Sequence, residues 1–125
     1  AKLTASDAAT YDSFGHSVGI SGDTVLVGAY GDGVNTGSAY LFTRPGGGWT
    51  TTNAQTAKLT ASDSAEYDYF GQSVAIDGAS GRVIVGNSPD NNISLAYIYE
   101  AVPEPSTALL LCLALMALAT GRWNR

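Results

Sequence analysis

The sequence predicts an all-β fold built from two copies of one strand-rich unit. Glycine and tyrosine account for 15 and seven of the 125 residues, and charged residues make up 14%, against roughly 25% in typical soluble domains. Residues 1–20 recur as residues 57–76, with 15 of the 20 positions identical at a spacing of 56. The composition is typical of turn-rich β proteins, and the period indicates a repeat architecture.

Three strands are predicted in the first copy from short runs of β-branched and aromatic residues bounded by glycine or aspartate. They cover residues 17–20, 24–27 and 39–43. A fourth, more polar strand is expected within residues 49–61, ending in Lys58-Leu59-Thr60. The expectation is therefore four strands per repeat.

The second strand of each copy is continuously apolar, at residues 25–27 and again at residues 83–85. A strand without hydrophobic–polar alternation is typically covered on both faces. We therefore expect these strands to lie in sheets stacked face to face.

Stacked four-stranded units of about 40 to 60 residues are typical of the blades of a β-propeller. Here Phe14-Gly15 and Phe70-Gly71 are each followed by Ser-Val, and Val-Gly-Ala follows at residues 27–29. This pattern resembles the FG-GAP repeat family, which forms the blades of integrin-like propellers and of many bacterial surface proteins. We expect the two phenylalanines to fill the core between blades and the adjacent glycines to permit close backbone approach.

The predicted blades are residues 1–56, with residues 1–5 as an orphan outer strand, and residues 57–101. Propellers close with four to eight blades, and the second copy has no fourth strand of its own. One interpretation is a piece of a longer protein, since the sequence shows no initiating methionine and no signal-peptide core. The alternative is assembly of short chains into a ring.

The C-terminal quarter changes character at the sequence Val102-Pro103-Glu104-Pro105. Proline restricts the backbone, so residues 102–107 are expected to form an extended linker. Residues 108–121 are expected to form a hydrophobic helix. Because this segment is uniformly apolar, insertion into a membrane is favoured over packing in a protein core. As a helix, the sixteen residues 106–121 would span about 24 Å, which is short of the roughly 30 Å hydrocarbon core. Arg122 and Arg125 in the basic tail, residues 122–125, would act as a membrane stop.

This order of elements resembles the PEP-CTERM sorting signal of Gram-negative bacteria. The resemblance implies export, association with the inner membrane, and cleavage near residues 103–105 by an exosortase, a membrane cysteine protease. The mature protein would lose its hydrophobic tail and reach the cell surface or the medium.

Few residues suggest catalysis. His16 corresponds to Gln72 in the second copy and has no cysteine beside it, so a structural or surface role is expected. The loops repeat acidic residues that are expected to serve turn geometry rather than acid–base chemistry; these are Asp7, Asp12, Asp63, Glu66 and Asp68.

The FG-GAP resemblance also implies calcium loops, for which the candidates are Asp32, Asn35 and Asp90. Neither loop has the alternating Asp-x-Asp-x-Asp-Gly succession, so plain turns are favoured and no cofactor is expected. Three loop tyrosines and one tyrosine at the end of the second strand are candidates either for a saccharide or protein contact surface or for packing between blades; these are Tyr11, Tyr67 and Tyr69 in loops and Tyr30 at the strand end.

The net charge of −5 argues against a nucleic-acid partner, and the single Cys112 excludes an intrachain disulfide. We expect an exported, non-catalytic surface or secreted protein that acts in adhesion or matrix interaction, with extracellular polysaccharide or surface proteins as partners. Two alternatives stay open: scaffold blades of a larger exported enzyme with its catalytic residues upstream, and a permanently tail-anchored membrane protein.

Overall fold

A computed structural model describes residues 1–89 and 93–100, which form two antiparallel sheets. The predicted linker, hydrophobic helix and basic tail lie outside the described residues. The all-β prediction is confirmed. Sheet 1 has the order β1-β2-β3-β4 and sheet 2 the order β5-β6-β7. The strands are β1 (Ser17–Ser21), β2 (Thr24–Ala29), β3 (Ser38–Thr43), β4 (Ala57–Leu59), β5 (Ser73–Asp77), β6 (Arg82–Gly86) and β7 (Ala96–Tyr99).

Sheet 1 is a meander whose first turn has two residues, because Ser21 pairs with Thr24. Gly22 takes the first central position with φ of 55°, which a two-residue hairpin of matching twist requires. The longer connection from β2 to β3 contains one short helical turn at Asp32–Asn35, within which Gly33 and Val34 depart from helical angles. Local turn chemistry therefore accounts for the first hairpin.

The fourth strand of sheet 1 comes from the first residues of the second sequence copy. Lys58 of β4 pairs with Tyr40 of β3. The expectation of four strands per repeat is met in sheet 1, whereas sheet 2 has three strands within the described residues. The reason is that sheet 1 takes the strand at the start of the second copy.

Two hydrophobic clusters cover sheet 1. The first lies between the sheets and contains Leu26, Ala39, Leu41, Ala61, Phe70, Val83 and Val85. The second lies on the opposite face of sheet 1, where Leu3, Phe14, Val25 and Trp49 pack against Ala5, Val27, Ala29, Tyr40 and Phe42. The prediction that the second strand is covered on both faces is confirmed for β2.

The same prediction is wrong for β6. Val83 and Val85 are buried, but Ile84 between them is 40% exposed, and Ile98 beside it is 69% exposed. Among residues 1–89 and 93–100, no second sheet packs on this face of sheet 2. Burial of one strand face depends on a neighbouring sheet, which the strand's own residues do not supply.

Residues 1–5 run beside the linker between β3 and β4. Leu3 forms an isolated parallel bridge with Thr52, whose N–H donates to Lys2 O at 2.9 Å. The polar strand expected over residues 49–61 is shorter than predicted, since only this bridge and the three residues of β4 pair. None of the helices in the described part of the chain has the length and apolar character that crossing a membrane requires.

Candidate functional site

The loops that precede β1 and β5 share an unusual backbone. Tyr11 and Tyr67 have φ of 71° and 65°, and Ser13 and Tyr69 have φ of 58° and 56°. Left-handed angles at residues other than glycine are uncommon and cost free energy. Their recurrence at equivalent positions shows that the sequence repeat fixes the loop conformation twice.

Two of the repeated loop aspartates serve turn geometry. Asp12 Oδ2 accepts the N–H of Ala9 at 2.8 Å, and Asp68 Oδ2 accepts the N–H of Ala65 at 2.8 Å. A carboxylate bound to a backbone amide of its own loop stabilises the turn. Glu66 is exposed on the same loop.

The repeated phenylalanines have equivalent aromatic neighbours but different burial. Phe70 is fully buried between the sheets and lies edge-on to Tyr97, with ring centroids 5.4 Å apart. Phe14 lies edge-on to Tyr40 at 5.5 Å on the outer face of sheet 1 and is half-buried. Each packs against the third strand of its own sheet.

The glycines after these phenylalanines differ in the same way. Gly71 and Gly15 have φ of 94° and 92°. A Cβ on Gly71 would lie 2.3 Å from Ser38 O, whereas a Cβ on Gly15 would meet nothing within 4 Å. Close approach therefore constrains Gly71, and both positions require a conformation that favours glycine.

A charged group, which we call the lysine cluster, comprises Asp7, Asp32, Ser38, Tyr40 and Lys58. Lys58 Nζ bonds to Asp7 Oδ2 and lies 2.8 Å from Asp32 Oδ2. Tyr40 donates its hydroxyl to Asp7 Oδ1 at 2.8 Å, and Ser38 donates its hydroxyl to Asp32. Two loops and strands β3 and β4 therefore meet around one ammonium group.

Hydrogen bonds within the lysine cluster shift its pKa values. The bond from Lys58 lowers the pKa of Asp7. Burial alone would lower the pKa of Lys58, but the bonds to Asp32 and Asp7 outweigh burial and raise it. Burial and the bond to Asp7 raise the pKa of Tyr40 to about 12. Lys58 therefore stays protonated near neutral pH and is unsuited to act as a base.

The sequence patterns indicate Asp7 and Asp32 separately, but they do not indicate the lysine that joins them. A usable signal is the heptapeptide Ala-Lys-Leu-Thr-Ala-Ser-Asp, which occurs at residues 1–7 and 57–63 and keeps a lysine five residues before an aspartate. In the second copy, Asp63 Oδ1 accepts the hydroxyl of Tyr97 at 2.8 Å, as Asp7 does with Tyr40.

The two calcium candidates among the described residues, Asp32 and Asn35, already have protein partners. The carboxylate of Asp32 is bonded to Lys58 and Ser38, and Asn35 has φ of 53° with its carbonyl accepting the N–H of Tyr69. Asp90 lies outside the described residues. Residues 1–89 and 93–100 hold no group of three or more His, Cys, Asp and Glu side chains placed for a metal. With an ammonium group on its one carboxylate, the loop at Asp32–Asn35 does not fit a calcium ion.

A second group, which we call the aromatic cluster, comprises His16, Tyr30 and Tyr69. The His16 and Tyr30 rings meet edge-on with centroids 4.8 Å apart, and Tyr30 and Tyr69 are 5.9 Å apart. Tyr11 and Tyr67, on the same loops, are 89% and 48% exposed. The structure therefore brings aromatic side chains from both repeats together at one end of the stacked sheets.

Residues 1–42 and 54–99 match the family model of the FG-GAP repeat. The chain belongs to the FG-GAP repeat family. Residues 101–125 of this FG-GAP chain match the PEP-CTERM protein-sorting motif. Together the matches indicate an exported protein that an exosortase sorts to the cell envelope or surface. No curated protein matches the chain.

The sorting match contains the residues singled out at the C-terminus. Val102, Pro103, Glu104 and Pro105 form its proline-rich start, and Arg122 and Arg125 lie in its basic end. All of them lie outside the described residues, so their assignment rests on the sequence match.

Proposed function

We propose that this FG-GAP chain is an exported, non-catalytic interaction module of the cell surface or extracellular matrix, with the aromatic cluster as its contact surface. The observation that carries the proposal is the meeting of Tyr30 and Tyr69 from the two repeats, next to His16. Tyrosine rings combine an apolar face with a polar hydroxyl and are enriched at binding surfaces. Such rings suit the alternating apolar and hydroxyl surface of a polysaccharide.

The arrangement of titratable groups supports a non-catalytic role. His16 is exposed and lies edge-on to Tyr30, and general acid–base catalysis needs a side chain within reach of a reacting proton in a defined pocket. Lys58 is held between two carboxylates, which keep it protonated. Neither group is placed as the base of a nucleophilic pair.

The binding proposal is tested with Tyr30→Asn, measured as retention of the purified protein on extracellular polysaccharide from the producing cells. Tyr11→Asn is the matched control, because Tyr11 is 89% exposed but makes no ring contact with the aromatic cluster. We expect Tyr30→Asn to weaken retention severalfold and Tyr11→Asn to leave it near wild type. Equal losses in both variants, or no retention of the wild type, would contradict the proposal.

For the C-terminus, we propose that residues 108–121 hold the exported chain at the inner membrane until the exosortase cleaves near residues 103–105. Twelve consecutive apolar residues at 108–119 support this role. The test is intact mass of the protein recovered from envelope and medium, comparing Glu104→Ala with the control Glu100→Ala. We expect the wild type and Glu100→Ala to lose the tail and Glu104→Ala to keep it. Identical processing of both variants would contradict a role for Glu104 in cleavage of the tail.

A further inference from the structure

The two sheets pack against each other through faces that are not equivalent in the sequence repeat. Each sheet leaves exposed at least part of the face whose equivalent in the other sheet is buried between the sheets. In sheet 1 the inner row across β1, β2 and β3 is Gly19, Leu26 and Leu41, and both leucines are buried. The equivalent row across β5, β6 and β7 lies on the outer face of sheet 2 and consists of Ala75, Ile84 and Ile98. Sheet 2 therefore exposes the face that sheet 1 buries.

The outer face of sheet 1 is exposed at β1, beside the second hydrophobic cluster. Val18 and Ile20 of β1 are 64% and 68% exposed. Their equivalents in β5, Val74 and Ile76, pack against the cluster between the sheets. Sheet 1 therefore exposes part of the face that sheet 2 buries. The exposed face of sheet 1 is equivalent to the sheet 2 side of the existing interface, and the exposed face of sheet 2 is equivalent to its sheet 1 side.

Strand pairing repeats the same relation. In sheet 1 the outer edge of β3 carries β4, which begins Ala-Lys-Leu. In sheet 2 the outer edge of β7 has no strand partner within the described residues, while the same tripeptide occurs at residues 1–3. The N–H of Thr52 donates to Lys2 O, and Thr52 O accepts the N–H of Thr4. Because these two residues flank Leu3, the N–H and C=O of Leu3 point to the opposite edge of the strand.

Polar groups mark the same register. Opposite Lys58 in sheet 1 stands Tyr40, whose hydroxyl donates to Asp7, and the lysine binds the other oxygen of that carboxylate. In sheet 2, Tyr97 donates to Asp63 Oδ1 at 2.8 Å, and no lysine of the described residues binds Asp63. The equivalent of Lys58 in the first copy is Lys2.

We propose that a second copy of this chain stacks on sheet 2 by the relation that places sheet 2 on sheet 1. Residues 1–3 of the incoming copy become the fourth strand of sheet 2 along β7, with its Lys2 opposite Tyr97 and bonded to Asp63. Its Val18 and Ile20 cover Ile84 and Ile98. The chain is therefore its own partner, through two different surfaces.

The existing interface supplies the details of the proposed one. Ser17 donates its hydroxyl to Gly71 O at 2.7 Å between the sheets, so Ser73 would donate to Gly15 O of the incoming copy. A Cβ on Gly19 would lie 3.2 Å from Ile76 Cγ2, so Ala75, which carries that Cβ, requires a shift of a few tenths of an ångström. Such a head-to-tail contact closes when about four to eight sheets complete a ring, that is, with two to four copies.

The test measures the mass of the full 125-residue chain in mild detergent by native mass spectrometry and by light scattering after gel filtration. We expect two to four copies of 12.9 kDa. Ile84→Asp places a charge in the proposed interface and should yield monomers. Gly47→Asp is the matched control, because a Cβ at Gly47 meets nothing within 4 Å. The number of copies in the Gly47→Asp assembly should equal that of the wild type.

A charge exchange tests the register independently of sheet packing. Lys2→Glu should weaken association by about two- to fivefold, the range for a partly exposed ion pair, and adding Asp63→Lys should restore it. A wild type that is monomeric up to its solubility limit would overturn the proposal, as would an oligomer that Ile84→Asp and Lys2→Glu leave unchanged. A monomer whose β7 amides are protected from hydrogen exchange would show that this edge is covered within a single chain and would also overturn the proposal.

Discussion

Replacing Phe70 by alanine should destabilise the fold far more than the same replacement at Phe14. Phe70 is fully buried between the sheets and lies edge-on to Tyr97 and Tyr99, with centroids 5.4 and 6.3 Å away. Removing a buried phenylalanine side chain costs about 3–5 kcal/mol of the free energy of unfolding. Phe14 has equivalent neighbours but is half-buried, and since the transfer free energy follows the apolar area removed from water, we expect about half that loss.

Urea unfolding followed by far-ultraviolet circular dichroism measures this difference. At a slope of about 2 kcal/mol per molar urea, typical of small proteins, Phe70→Ala lowers the midpoint by roughly 2 M and Phe14→Ala by roughly 1 M. The two variants share residue type, repeat position and aromatic contacts, so each controls for the other. Equal shifts, or a larger shift for Phe14→Ala, would refute the assignment of the main core to the space between the sheets.

Two further outcomes follow from close contacts and from charge. Gly28→Ala should lower the midpoint of thermal unfolding, because its Cβ would lie 2.0 Å from Gly71 O, whereas Gly46→Ala, which meets nothing within 4 Å, should be neutral or stabilising by about 0.4–1 kcal/mol; the opposite order would contradict the packing. The pKa of Asp7 is lowered from 3.8, so its stabilisation is present above pH 3.8 and is lost as the pH falls through the folded-state pKa. The pKa of Tyr40 is raised from 10.0 to about 12, and the pKa of Tyr97 is raised likewise, so stability should fall between those pH values. Tyr40→Phe should make this fall in the urea midpoint smaller, because Tyr97 still contributes to it; an unchanged alkaline profile would argue against the bond from Tyr40 to Asp7.

Short-range sequence signals predict the strands of this protein well. Strands β1, β2 and β3 begin and end within two residues of the predicted bounds, because glycine and aspartate turns delimit short apolar runs. The repeat also predicts face-to-face stacking, since a continuously apolar strand needs cover on both sides. The exposure of Ile84 was not predictable in this way, because it depends on what packs against sheet 2 and not on β6 itself.

The lysine cluster could not be predicted from the sequence alone. Asp7 and Lys58 are 51 residues apart and meet because β4 returns to sheet 1 beside the loop that carries Asp7. Taken alone, each residue is typical of a charged side chain in a loop or in an edge strand. The ion pair follows only from the pairing of β4 with β3, which brings Lys58 opposite Tyr40.

The origin of β4 has a consequence for dividing or recombining this chain. A cut at the sequence-repeat boundary, between Thr56 and Ala57, would remove the fourth strand from sheet 1 and leave Asp7 and Asp32 without their ammonium partner. A cut after β4, beyond Leu59, keeps sheet 1 whole but separates Ala61 and Phe70 from it. Duplication of the 56-residue segment thus interlocks neighbouring copies, so that each added copy completes the sheet of the one before it.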